Sequence, residues 1–175
     1  RYAGGDGAFG FLGNQTNGGN CTNCRVFNNT LVDGDMQWNN GWGIQFPDGS
    51  GNMARNNLFV SRKGNSPAIS LGSGGTNSHN AFGTGGGSSG SNAQSNVSTN
   101  IFANYAGDDF RLARATNPGF NITGTAPDGG RLDIDMFGNK RGGDGSWDRG
   151  AIEFGSDPVS SIPLPENLRI VNSSM

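Results

Sequence analysis

Apolar residues fall into two recurring patterns along this chain. In the first, Asn is followed two residues later by Leu or Phe. It appears as Asn29-Thr30-Leu31, Asn57-Leu58-Phe59, Asn80-Ala81-Phe82 and Asn100-Ile101-Phe102, so the Asn positions are 28, 23 and 20 residues apart. In the second, two apolar residues stand at i and i+2: Phe9/Phe11, Ile44/Phe46 and Ile69/Leu71. Each of these runs is closed within two residues by Gly or Pro. Period two predicts a short strand with one buried face.

The two ladders alternate along the chain. Unequal repeats of this length indicate units that bury their apolar face only against their neighbours. The expectation is an all-β chain, a parallel β-helix of about four coils, each coil holding at least two short strands joined by Gly/Asn/Ser turns. A stacked Asn at each corner has a physical role, because its amide can bond the amides above and below. The alternative for Asn29, Asn57, Asn80 and Asn100 is ordinary turn asparagine in left-handed geometry. The shared Leu or Phe two residues later favours the stack.

Composition supports turns over helices. Gly supplies 32 of the 175 residues and charged residues only 15%, against a usual Gly content of about 7%. Helix formers are scarce outside the tail. Net charge is -2 and the basic residues are scattered, which excludes a nucleic-acid footprint. No apolar run approaches the ~18 residues of a membrane span. The chain opens on Arg1-Tyr2 without a Met, which predicts a mature or truncated chain.

Several stretches interrupt the ladders. Residues 33–42 carry Asp33, Asp35, Trp38 and Trp42. Residues 83–99 are rich in Gly and Ser and are expected to be an exposed, flexible loop. From about residue 103 the repeat fades into a closing segment. Pro158, Pro163 and Pro165 mark a linker, so the expected division is 1–156 for the repeat with its closing segment and 157–175 for a Pro-rich linker with a short tail strand at Leu168–Val171. Cys21 and Cys24, the only cysteines, offer three readings: a local disulfide, free thiols, or half of a metal or redox motif.

The motif Asp135-x-x-Gly138-x-x-Arg141 followed by Asp148-x-Gly150-Ala151-x-Glu153-Phe154 resembles the closing segment of secreted bacterial right-handed parallel β-helix proteins of the pectate-lyase-like superfamily. Asp109-Phe110-Arg111-Leu112 resembles their final coil. The resemblance covers about residues 8–171. It implies an extracellular or cell-surface location and leaves function open, because that superfamily holds lyases, glycosidases, epimerases, tailspikes, adhesins and structural proteins. After Arg111-Leu112 the chain departs from the superfamily's usual Ser-Pro-Ala-Ile-Asp.

Candidate chemistry is sparse. In lyases of that superfamily an Arg or Lys removes the proton α to a uronate carboxylate that a cation neutralises. Arg62-Lys63 is the candidate pair, and its ordinary alternative is a solvated turn. As a catalytic base either residue needs a depressed pKa, hence burial or a neighbouring cation. Asp33/Asp35 and Asp108/Asp109 are acidic pairs of the kind glycosidases need, although such pairs are common in loops. Trp38, Trp42, Gln45 and Asp48 are candidates for stacking on sugar rings and bonding their hydroxyls. Asp133, Asp135 and Asp148 are candidates for calcium; their alternative is turn capping or pairing with Arg141 or Arg149. His79 is expected at a strand edge or turn. Six N-x-S/T sequons occur at Asn14, Asn20, Asn28, Asn96, Asn121 and Asn172. Asn96 and Asn121, placed in loops, are the candidate glycan carriers.

A stack of about four coils needs both ends covered. The closing segment is expected to cover the C-terminal end. The N-terminal end carries no amphipathic helix, which predicts one of three things: a C-terminal portion of a longer enzyme, pairing with other copies into a fibre, or a compact glycan-binding domain. The expected function is an extracellular module without its own catalytic site, structural or glycan-binding, with polysaccharide or copies of itself as partner. The alternative is the C-terminal portion of a secreted polysaccharide lyase acting on acidic glycans.

Overall fold

A computed structural model describes residues 11–12, 21–33, 42–46, 49–61, 68–83, 89–122 and 131–155. The described residues contain strands and short 3-10 turns but no α-helix. The fold is all-β, and its main sheets are parallel. The sequence patterns explain the strands. β1 (Phe11–Leu12), β4 (Trp42–Gln45) and β7 (Ala68–Ser70) come from the i, i+2 apolar runs. β3 (Thr30–Asp33), β6 (Leu58–Ser61) and β9 (Ala81–Gly83) follow the ladder asparagines.

A third set was not apparent in the sequence: β2 (Arg25–Phe27), β5 (Met53–Arg55) and β8 (Thr76–Ser78). Each has only three residues and one inward position, so period two cannot show itself. The chain therefore visits three sheets in rotation, and each strand pairs in parallel with its counterpart from the next pass. The orders are β1-β4-β7, β2-β5-β8 and β3-β6-β9-β10, the last strand being β10 (Gln94–Val97).

Register aligns residues of successive passes. Phe11, Ile44 and Ile69 align in the first sheet; Val26, Ala54 and Asn77 in the second; Leu31, Phe59 and Phe82 in the third as far as β9. Val26, Ile44, Phe46, Ala54, Phe59, Leu71 and Phe82 form the buried core between the sheets. Phe59 and Phe82 stack with ring centroids 5.3 Å apart. An apolar core of this kind supplies most of the folding drive, at about 25 cal/mol per Å² of apolar surface removed from water.

The third sheet is buried on both faces, so Leu58-Phe59-Val60 reads as a continuous apolar run. Its outer face carries Leu58, Val60 and Ala81. These pack with Val97, Ile101, Phe102, Tyr105, Phe110 and Leu112. The covering layer includes β11 (Phe102–Asn104) and β12 (Asp109–Leu112), an antiparallel pair. Asp109-Phe-Arg-Leu is thus half of an antiparallel pair, not a final parallel strand. Residues 89–99 of the Gly/Ser-rich stretch also depart from the flexible-loop expectation, and 84–88 lie outside the described residues. Within it β10 pairs with β9, and Val97 is buried in the outer layer.

Cys21 and Cys24 form a disulfide with Cα atoms 5.9 Å apart. Reducing it opens a very short loop, and the expected loss is about 2 kcal/mol of stability. Denaturant unfolding with and without reductant measures this, and the loss should be largely reproduced in the Cys21→Ser/Cys24→Ser double variant.

Candidate functional site

The polar interior begins at the corner between the second and third sheets. Asn29 Nδ2 donates to Asn57 Oδ1 (2.9 Å), and Asn57 Nδ2 donates to Asn80 Oδ1 (2.8 Å). The same side chains take up main-chain groups. Asn57 Nδ2 also reaches Val26 O, and Asn80 Nδ2 reaches Ala54 O. The backbone N–H groups of Asn29 and Asn57 donate to the amide oxygen one level on. Asn57 and Asn80 are fully buried.

Asn100 departs from the expected ladder. It is exposed in a 3-10 turn, Thr99–Ile101, where Ser98 Oγ accepts from its backbone N–H. The ladder ends on Asn77 instead, whose Oδ1 accepts from Asn80 Nδ2. The Asn-x-Phe spacing at 100–102 places Phe102 in the outer layer, a different environment from that of Phe59 and Phe82.

Immediately before each ladder residue stands one with positive φ: Asn28 (54°), Asn56 (55°) and His79 (54°). The left-handed geometry thus falls on the residue before each ladder asparagine, and Asn29, Asn57 and Asn80 themselves do not adopt it. A second corner asparagine, Asn52, carried no repeat signal. Its Nδ2 donates to Cys21 O (2.9 Å) and Leu71 O (3.0 Å), and its Oδ1 accepts from Cys24 N (2.8 Å). Strand register sets Cys24, Asn52 and Gly75 at equivalent positions, just ahead of Arg25, Met53 and Thr76. Three residue types at one position leave no pattern to detect.

The closing segment reaches the last parallel strand, where Asn117 N donates to Gln94 Oε1, and also runs along this corner. Arg149 Nη1 donates to Asn80 O (3.0 Å), Gly150 N to Asn56 O (2.6 Å) and Ala151 N to Thr30 Oγ1 (2.8 Å). It therefore crosses three successive levels as a strap. Gly150 has φ +106°, and a Cβ there would lie 2.6 Å from Thr30 Oγ1 and 3.1 Å from Leu58 Cβ. No side chain fits that approach.

Behind the strap lie Asp135, Arg141, Asp148, Arg149 and Glu153, all buried. Arg141 Nη1 is 3.3 Å from Glu153 Oε2. Glu153 also accepts from Gly142 N and Asp148 N. Asp148 accepts from Thr116 N, Thr116 Oγ1 and Phe154 N. Asp135 Oδ1 accepts from Phe137 N and Asn139 N, and its Oδ2 from Asn139 Nδ2 and Glu153 N. Burial pushes the Glu153 and Asp148 carboxyls up, and main-chain N–H donors pull both back down. Burial lowers the Arg141 guanidinium, against the pull of Glu153, Asp135 and Asp148. Arg149 is lowered by burial and is held by the carbonyls of Asn117, Pro118 and Asn80.

This donor set does not fit calcium at Asp133, Asp135 and Asp148. The oxygens of Asp135 and Asp148 already serve N–H and O–H groups. Among the described residues no three His, Cys, Asp or Glu side chains are gathered for a metal.

A cleft of about 550 Å³ opens beside the strap, lined by Pro118, Asn121, Asp133, Lys140, Ser146 and Trp147 among others. Trp147 is buried and Arg141 lies 5.9 Å over its ring. The cleft brings together an ammonium, a carboxylate, an amide and a hydroxyl. It is the candidate site. Asp133 and Asn121 were singled out in the sequence for other roles. Lys140, Ser146 and Trp147 were not, since nothing local distinguishes them from loop residues.

The remaining candidates are placed as follows. Asn96 and Asn121 are exposed, Asn96 with φ 58° on β10. Arg62, Lys63, Trp38 and Asp48 lie outside the described residues, as do the linker and tail strand of 157–175. Trp42 and Gln45 are placed on β4 by their backbone. Among the described residues no helix is long and apolar enough to cross a membrane. Comparison of the chain with protein families, curated proteins and solved structures gave no match.

Proposed function

We propose that this chain is an extracellular right-handed parallel β-helix module that binds glycan at the cleft beside its strap and has no catalytic site of its own. The rotation of the chain through three parallel sheets, with an asparagine ladder at one corner, supports the β-helix. The Cys21–Cys24 disulfide suits an oxidising compartment. The observation that carries the functional reading is the state of the buried charges. Asp135, Asp148 and Glu153 each hold main-chain N–H groups in place, so they act as structural anchors rather than as acids or bases poised for a substrate. The cleft beside them carries the Lys140 ammonium, the Ser146 hydroxyl and the Asp133 carboxylate, group types that bond sugar hydroxyls.

Calorimetric titration with neutral and uronate oligosaccharides tests this reading, alongside the absorbance of unsaturated products from alginate, pectate and chondroitin. Binding without product is the expected result. Lys140→Ala with Ser146→Ala should weaken binding at least about tenfold, a loss near 1.4 kcal/mol. Product formation would favour the C-terminal portion of a polysaccharide lyase instead. No binding with any glycan would count against the module as a glycan reader and leave a structural role.

A further inference from the structure

The strap is held at the corner by more than the buried charges. Phe120 is clamped by its own backbone: its N–H donates to Asn56 Oδ1 (2.7 Å) and its carbonyl accepts from Asn56 Nδ2 (2.7 Å). The Phe120 ring sits under the Arg55 guanidinium, whose central carbon is 4.3 Å from the ring centroid. It also meets the His79 ring at 5.4 Å. His79 stands at the left-handed corner position that Asn28 and Asn56 occupy on the two preceding levels. Asparagine is the ordinary choice for that backbone, so histidine here adds a group that titrates near neutrality.

The surroundings of His79 are built for the neutral ring. Asn92 Nδ2 lies 3.1 Å from Nε2, a contact in which the ring nitrogen accepts when it carries no proton. Nδ1 is buried without a hydrogen-bond partner. The charged groups acting on the ring are both cations, Arg55 from the end of β5 and Arg149 from the strap. A proton on Nε2 would require the exposed Asn92 amide to turn its oxygen toward the ring. It would also set a third positive charge beside the Arg55 and Arg149 guanidiniums, with Arg55 and His79 packed on the same Phe120 ring.

We propose that His79 is an acid-sensitive latch: its protonation releases the 117–122 segment, which lies against the strap, from the Asn56/Arg55 corner, while the parallel sheets stay formed. Burial, Arg149 and Arg55, in that order, hold the His79 pKa below its ordinary 6.5. The sign follows from this. The unfolded or released chain takes up the proton at higher pH than the closed one. The closed strap therefore has its full stability above about 6.5 and loses it as pH falls through that value to the lower one.

His79 is the only histidine, so its ring resonances titrate without overlap. The test follows them by NMR together with exchange of the Phe120 amide, corrected for intrinsic exchange. The expected result is a His79 midpoint below 6.5, and Phe120 exchange at least about tenfold faster at about pH 5 than at about pH 7. Amides of β5 and β6 should keep their protection. His79→Asn suits the left-handed corner and should keep Phe120 protected at both pH values. Asn56→Ala removes the clamp and should leave Phe120 unprotected at both. A His79 midpoint at or above 6.5 would overturn the latch, as would titration with no change at Phe120, or acid release that persists in His79→Asn.

Discussion

Replacing Asn57 by Leu is expected to cost about 4 kcal/mol, although the two side chains are close in size. Asn57 Oδ1 accepts from the Asn29 backbone N–H and from Asn29 Nδ2, while Asn57 Nδ2 donates to Val26 O and Asn80 Oδ1. Leucine fills the space but leaves these groups short of partners at a fully buried position. Each buried donor or acceptor left unmade costs about 1–3 kcal/mol, and neighbours in one network do not add in full. In urea unfolding the midpoint should fall with little change in slope. A thermal midpoint lower by roughly 10 °C should accompany it. Asn100→Leu is the control: an exposed residue outside the ladder, it should change stability by no more than about 0.5 kcal/mol. Comparable losses at 57 and 100 would mean that the amide stack is not the source of the effect.

Arg141→Met should cost about 3–5 kcal/mol for a different reason. The substitution keeps most of the side-chain volume and removes the cation that faces Glu153 across 3.3 Å in a buried site. The carboxylate is left with N–H donors from Gly142 and Asp148 but no counter-charge. A buried pair broken on one side costs far more than the pair contributes when intact. Burial already raises the Glu153 pKa in the native protein, and loss of Arg141 raises it further. A group whose folded pKa is raised binds its proton more tightly in the folded state, so the stability of the variant should recover as pH falls toward the ordinary carboxyl range. Adding Glu153→Gln to Arg141→Met should recover part of the loss at neutral pH. A variant equally weak at every pH, with no rescue by the second substitution, would locate the damage in packing against Trp147 instead.

The two substitutions mark how much of this protein is legible in its sequence. The ladder at Asn29, Asn57 and Asn80 is legible because one corner geometry recurs, and each recurrence carries an inward Leu or Phe two residues on. Asn100 carries the same spacing but stands outside the stack, where Phe102 packs on the outer face of the third sheet. Spacing of this length reports that a side chain is buried; it does not report in which layer. The second sheet and Asn52 escaped notice for complementary reasons. Three-residue strands with one inward position have no period, and Cys24, Asn52 and Gly75 share a position but no chemistry.

What the sequence determines by itself is local: which residues turn inward along each short strand, where Gly and Asn allow the corners, and that Cys21 and Cys24 are near enough to join. Asp135, Gly138, Arg141, Asp148, Gly150 and Glu153 stand out only through the resemblance of their motif to a closing segment. Tertiary structure alone decides where the strap lies. Arg149, Gly150 and Ala151 find their partners at Asn80, Asn56 and Thr30, and those groups come into line only after three separate passes of the chain have stacked. Asn80 O, Asn56 O and Thr30 Oγ1 form a row of acceptors only in the assembled molecule. The cleft and the His79 contact with Phe120 follow from that row, which is why neither could be read from residues so far apart along the chain.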